Sequence, residues 1–337
     1  MFEIKHTLCP SCSVGCGINV ILDGEEIIGT FPYKRHPVNA GKNCANGRNS
    51  IDCYNNKFES FDLNNAIADA LKEIQSVDAS DVTVICSGNN SIEEIEAIKN
   101  FAESNGFNIG FYADNLKNYD DVASYDDIAH AGKVFVIGDL LYENPLIGRR
   151  IVHAKKNDAK IFALGKNESS VTFNIADETS TSSVQEFLDK FSGEIDDSTV
   201  VVFNYVDAAE DLDKFESLNC KILPVFSKSN TKGALGIIDS KSSDEMIELF
   251  DSTKVLLVFN DDVVDEFDYD FSKISKIISL ACCESNTTEI SNIVIPVKSW
   301  LEQEGSFVNA MGDVQNFYPV VESDDLGIIE VIEELNK

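Results

Sequence analysis

Cys9, Cys12, Cys16 and Cys44 stand in the spacing C-x2-C-x3-C-x27-C, and no other stretch of the chain concentrates so much reactive chemistry. Short gaps let three thiolates wrap one side of a compact inorganic group, and a later loop brings the fourth. A cubane [4Fe–4S] cluster needs this arrangement, four thiolates converging on four iron corners. Gly15 and Gly17 would let backbone N–H groups approach the inorganic sulfides and tune the potential. Four cysteines also suit tetrahedral zinc, but structural zinc mostly uses two C-x2-C pairs, and Cys44 has no pair partner. The spacing therefore predicts one iron–sulfur cluster on Cys9, Cys12, Cys16 and Cys44, with zinc as the competing reading.

The remaining cysteines are scattered, at Cys53, Cys86, Cys220, Cys282 and Cys283. Nine in 337 residues, so unevenly placed, do not make a secreted disulfide scaffold; they fit a reducing compartment. Cys53 reads as a small buried residue rather than a spare ligand. Cys282-Cys283 reads as two ordinary thiols at a strand end, a vicinal disulfide being strained. His6 reads as a surface histidine that could tune the cluster, His36-Pro37 as a loop-shaping pair, and Trp300 as packing.

These residues need elements to position them. Val20–Leu22 and Glu26–Ile28 read as two strands joined by a turn at Asp23-Gly24. From residue 62 helices and strands alternate. Asn64–Ile74 is amphipathic. Val82–Cys86 is a buried strand, and Ser91 with Glu94 forms a capping box that opens a helix ending at Gly106. Lys133–Ile137, Ile161–Leu164, Thr199–Phe203, Leu223–Phe226, Val255–Phe259, Lys276–Leu280 and Ile293–Pro296 read as further strands, with a helix over Pro145–Lys156 and an acidic one within 322–337. The rhythm predicts an α/β protein: a small N-terminal iron–sulfur domain with short antiparallel strands, then Rossmann-like parallel α/β layers. The expected domains are 1–60, 61–195 and 196–337, with Asp196-Asp197-Ser198 marking the last boundary.

Composition narrows the partners. Asp and Glu number 58 against 27 Lys and Arg, a net charge of −31. Nucleic acid and anionic membranes would be repelled. Met1–Leu8 leads straight into the cysteines without a secretory pattern, and no apolar run reaches the roughly 18–20 residues that span a bilayer. The expectation is a soluble, cytoplasmic protein with no membrane insertion. No G-x-G-x-x-G follows a predicted strand, which argues against a nicotinamide or flavin dinucleotide. Ser87-Gly88-Asn89-Asn90 is a turn at a strand's C-terminal end that could face a ligand crevice.

The string Cys9–Gly17, followed by His36–Cys44, resembles the N-terminal cluster domain of molybdopterin oxidoreductases, and most closely that of the catalytic (alpha) subunit of methanogen-type formate dehydrogenases. Lys133–Gly138, Glu143–Ile147 and Arg149–Ile151 are similar to the family's strand, cofactor loop and helix. Asn230–Ala234 resembles its Asn-x-x-Gly-Ala loop, and Ile293–Pro296, Glu302–Asn309 and Gly312–Gln315 resemble its later motifs. The departures matter as much. Asn46 stands where redox-active members carry a lysine between cluster and pterin, and the stretch from Gly106 to Lys133 has no cysteine to ligate molybdenum or tungsten. His130 does not match the place of the catalytic histidine. The chain runs only a short way past Gln315, so the family's C-terminal cofactor domain is expected to be missing. Lys232, Arg149 and Arg150 read as solvated charges rather than remnants of a pterin cradle.

The resemblance therefore implies an electron-transfer subunit of a larger redox complex, holding one [4Fe–4S] cluster, with no catalytic residue of its own and no molybdopterin guanine dinucleotide. Its implied partners are ferredoxin-like, flavoprotein, hydrogenase or formate dehydrogenase-type subunits. An active pterin enzyme completed by a partner subunit, or a scaffold with a structural cluster, are the alternatives.

Overall fold

The computed structural model describes residues 2–58, 62–207 and 210–337. The expected boundary at 60/61 lies outside the described residues.

Three antiparallel strands open the chain: β1 (Phe2–Leu8), β2 (Gly17–Asp23) and β3 (Glu26–Pro32). The Asp23-Gly24 signal marks the hairpin: Asp23 pairs with Glu26, and Gly24 takes φ +65°, where a glycine meets no steric penalty. β1 was not expected. Its outer end leaves Phe2 and Ile4 exposed, so it carries little of the burial pattern that marks a strand.

Among the described residues ten parallel strands follow: β4 (Val82–Cys86), β5 (Asn108–Phe111), β6 (Lys133–Ile137), β7 (Lys160–Leu164), β8 (Glu178–Ser180), β9 (Thr199–Phe203), β10 (Lys221–Pro224), β11 (Val255–Phe259), β12 (Lys276–Ala281) and β13 (Ile293–Pro296). They form two five-stranded sheets, ordered β5-β4-β11-β12-β13 and β10-β9-β6-β7-β8. Both faces of each sheet are covered, which explains the unbroken apolar runs. In β6, Val134 and Val136 enter one core while Phe135 and Ile137 enter the opposite one. In β11, Leu257 and Leu256 divide in the same way. The expected capping box on Ser91 and Glu94 is present, and its helix, Ile92–Asn105, ends at Gly106 with φ +70°.

Strand pairing crosses the expected 195/196 boundary in both directions and corrects it. β9 and β10 join β6, while β4 and β5 join β11. Asp196-Asp197-Ser198 is a turn rather than a linker. Ser198 N–H donates to Asp196 Oδ1 at 2.9 Å, and the Asp196 carboxylate pairs with Lys133 Nζ at 2.8 Å, setting the starts of β9 and β6 side by side. The second sheet is thus inserted whole between β5 and β11.

A last hairpin, β14 (Gly305–Val308) and β15 (Val314–Phe317), precedes the terminal helix Ile328–Leu335. It is tied to both sheets through Asn230, which is fully buried. The Asn230 amide donates to Asn90 O at 2.8 Å, and its Oδ1 accepts from Val308 N at 2.7 Å. Asn230→Ala strands both buried partners. It should cost roughly 2–4 kcal/mol in chemical denaturation, against little effect for a surface asparagine.

Candidate metal centre

The segment between β1 and β2 is a tight loop. Cys9 N–H donates to Cys16 O at 2.8 Å and closes it, and Gly15 supplies a φ of +72° inside it. Distant parts of the chain then hold it. Ser13 N–H donates to Phe226 O at 3.2 Å, and Ser13 Oγ accepts from Phe226 N at 2.8 Å. Ala310 N–H donates to Ser13 O at 2.7 Å. The Tyr125 hydroxyl donates to Val14 O at 2.9 Å, and the Gln315 amide to Gly15 O at 3.1 Å. Four segments, from residue 125 to residue 315, thus fix the backbone that carries three cysteines.

The fourth cysteine arrives on a loop fixed by Asn39, which is fully buried. Its amide donates to Gly17 O at 2.8 Å and Lys42 O at 2.7 Å, and its Oδ1 accepts from Gly17 N at 3.0 Å. Gly17 N–H also reaches His36 Nδ1 at 3.1 Å, so that nitrogen is the acceptor and the ring is neutral. Partial burial accordingly lowers the His36 pKa from its ordinary value. His36 is the loop-shaping residue that the sequence indicated.

Cys9, Cys12, Cys16 and Cys44 all line one small pocket. Cys9 and Cys16 are buried, while Cys12 and Cys44 are half-buried on the side shared with the exposed Asn46. Burial pushes the Cys12 thiol up to about 12 and raises Cys9 and Cys16 as well, the neighbouring sulfurs adding to the effect. A cationic metal core supplies the charge that lets such sulfurs ionise. Two backbone or amide groups are available to it. Gly47 N–H points at Cys44 Sγ from 3.4 Å, and the buried Asn43 Nδ2 on the same pocket has no partner among the described residues. The donor set fits an iron–sulfur group, four sulfurs with amide N–H groups beside them.

The other residues singled out from sequence are placed elsewhere. His6 stacks on Tyr33 and contacts Asn19, away from the cysteine pocket. Lys232 is not solvated: it is buried, and its ammonium donates to Asn118 Oδ1 and Tyr119 O. Arg150 is mostly buried and donates to Val38 O at 3.0 Å, bracing the loop that carries Cys44. Sequence reasoning missed that role, as well as those of Ser13, Tyr125 and Asn144, the last of which lines the cysteine pocket. Only the spacing of Asn309 and Gln315 within their motifs hinted that the C-terminal hairpin matters here.

Two larger cavities lie where strand order reverses, the usual ligand position in open parallel sheets. One, of about 350 Å³, sits over the ends of β4 and β11 and is lined by Asn89, Asp261 and Asp262. The other, of about 460 Å³, sits over the ends of β6 and β9 and is lined by Asp114, Glu143, Asp207 and Lys166. Asn89 comes from the Ser87–Asn90 turn noted in the sequence.

Fold and site together define a parallel α/β protein with a four-cysteine pocket built from its N-terminal loop. Residues 2–56 match the molybdopterin oxidoreductase Fe4S4 domain and residues 190–325 the molybdopterin oxidoreductase domain. The chain belongs to the molybdopterin oxidoreductase family. It is 29% identical over 195 residues to the F420-dependent formate dehydrogenase subunit alpha of Methanocaldococcus jannaschii, and 27% identical over 199 residues to the F420-dependent formate dehydrogenase 2 subunit alpha of Methanococcus maripaludis. Each match covers 48% of this chain and 28% of the relative. The fold is shared with a chain of the formyltransferase/hydrolase complex of Methylorubrum extorquens, solved with methylofuran. That match has a TM-score of 0.50 and 12% identity, over 83% of this chain and 96% of the other. Among the described residues no helix is long and apolar enough to cross a membrane.

Gly15 offers a direct test of the loop. A Cβ there would sit in the disfavoured left-handed region and overlap the Gln315 side chain. Gly15→Ala should lose at least about 1–2 kcal/mol in denaturation and lower the metal content per chain.

Proposed function

We propose that the chain is the [4Fe–4S] electron-transfer subunit of a larger redox complex, with Cys9, Cys12, Cys16 and Cys44 as cluster ligands. The observation that carries this reading is the convergence of the four cysteines on one braced pocket. Their separation supports iron over zinc. Tetrahedral zinc draws sulfurs to about 3.8 Å from one another. Among the described residues, no three of these four sulfurs lie within 4.8 Å of one another. A cubane spreads its ligands further apart.

When bound, the cluster supplies a one-electron 2+/1+ couple. The chain's own residues orient it and keep water from its inner side. Cys9 and Cys16 form the buried wall, the Gly47 N–H faces Cys44 Sγ, Asn43 lines the same pocket, and the Asn46 side stays open for a partner. No side chain is assigned acid–base or nucleophilic work. A relay needs a second redox centre nearby, so a partner subunit follows; formate dehydrogenase-type assemblies are the setting that the relatives' names suggest.

The residues fit a pterin dinucleotide poorly. Its phosphates are anionic, and the switch-point cavities present two carboxylates in the smaller and three in the larger, against one lysine in the larger. One observation favours a second reading, a pterin enzyme completed by another subunit: residues 190–325 match the molybdopterin oxidoreductase domain.

Metal analysis of anaerobically purified protein separates the two. About four irons per chain, without molybdenum or tungsten, is the expected result. Near-stoichiometric molybdenum or tungsten would establish the second reading instead. Cys12→Ser should lose the cluster and, with it, electron relay from a low-potential donor; normal relay in that variant would refute the assignment.

A further inference from the structure

Cys53 and Cys283 are joined by a disulfide across 230 residues of sequence, against the expectation of a buried small residue and two ordinary thiols. The bond fastens the short helix Asp52–Asn55 to the end of β12, where Lys57 also forms a bridge to Cys283. Cys282 stands beside it, with its Sγ 3.3 Å from Cys53 Sγ. All three sulfurs lie within 4.8 Å of one another, the only such triad of potential metal ligands among the described residues. A disulfide occupies two of them and leaves the third without a role.

We propose that Cys53, Cys282 and Cys283 form a second thiolate site, distinct from the four N-terminal cysteines, which takes one zinc ion once the Cys53–Cys283 bond is reduced. Three sulfurs this close suit the short Zn–S bonds of a tetrahedral ion and are too close for a cubane. All three line the 350 Å³ cavity over β4 and β11, so the fourth coordination position faces open space and water. The surroundings favour a cation. Lys57 pairs with both Glu302 and Asp325, and Lys228 with both Asp261 and Glu266, so each nearby lysine is outnumbered by carboxylates. The same field opposes a free thiolate and makes Cys282 a poor nucleophile for disulfide exchange, which leaves cation binding as the better use of the third sulfur.

Two electrons and two protons, delivered by a phosphine that is oxidised with water to its phosphine oxide, convert the disulfide into two thiols. Zinc binding then releases thiol protons to solvent. The proposal is independent of what the N-terminal cysteines hold, because iron and zinc are counted separately.

The test uses the full, iron-loaded chain. Wild type is prepared oxidised and phosphine-reduced, equilibrated with zinc under anaerobic conditions, desalted and analysed for both metals. The reduced form should retain one zinc per chain more than the oxidised form, with iron unchanged. Cys282→Ser with Cys283→Ser should abolish that extra zinc and leave iron as before. Equal zinc in the oxidised and reduced wild type would overturn the proposal, and so would full zinc retention in the double variant. The wild-type comparison stands even if the double variant folds poorly. Cobalt(II) in place of zinc gives a second readout: a thiolate-to-cobalt charge-transfer band should appear on reduction, and its absence would count against the site.

Discussion

The two-way hydrogen bonding between Ser13 and Phe226 is the constraint on which the rest of the site depends. Ser13 donates its N–H to Phe226 O and accepts from Phe226 N through its hydroxyl, while its carbonyl takes the Ala310 N–H. A loop with two- and three-residue gaps between cysteines has too few internal partners for its own backbone groups. Left alone it would sample many shapes, and a cluster would have to order it on binding. Here β10 and the C-terminal hairpin do that ordering beforehand. Phe226, two residues beyond β10, makes this contact, so the position of the loop follows from that of the second sheet.

This explains which parts were legible in the sequence. The local elements were: β4, β6, β9, β11 and β13 carry apolar runs whose limits coincide with the strands, and the Ser91 capping box and Gly106 stop are written in adjacent residues. The cysteine spacing was legible for the same reason, since three ligands lie within eight residues. Strand partners were not legible. Nothing local to Thr199 says that β9 pairs with β6 rather than opening a new sheet, and the acidic turn at 196–198 looks like a linker until Lys133 is placed beside it. Lys232 misled for a related reason. A lysine on a short helix looks solvated until Asn118 and the Tyr119 carbonyl are seen to meet its ammonium.

Long-range pairing also recasts the cysteines outside the motif. Cys282-Cys283 looks inert in sequence because its neighbour in space, Cys53, lies far away along the chain. The adjacent pair cannot itself cross-link without strain, but it can present two sulfurs to a third residue on another element. Both cysteine groupings use the same device, a turn at the end of a strand that presents sulfurs to a segment arriving from elsewhere. They differ in spacing. The N-terminal four are held apart by a braced loop, and the 53/282/283 group is drawn together.

Charge links the site to the whole molecule. A cubane held by four thiolates is a net anion in both oxidation states, because the sulfurs outweigh the core. Reduction adds a further negative charge to a chain already at −31. For a cluster held there, background charge would disfavour the reduced state and lower the potential, whereas nearby N–H groups such as that of Gly47 would oppose that shift locally. The background term is long-ranged and falls with ionic strength; the N–H term is short-ranged and does not. The exposed charges flanking Asn46 in sequence, Lys42 and Arg48, are basic, in contrast with the chain as a whole. The Ser13 bracing works by short backbone contacts instead, so the position of the cysteine loop is set independently of that charge.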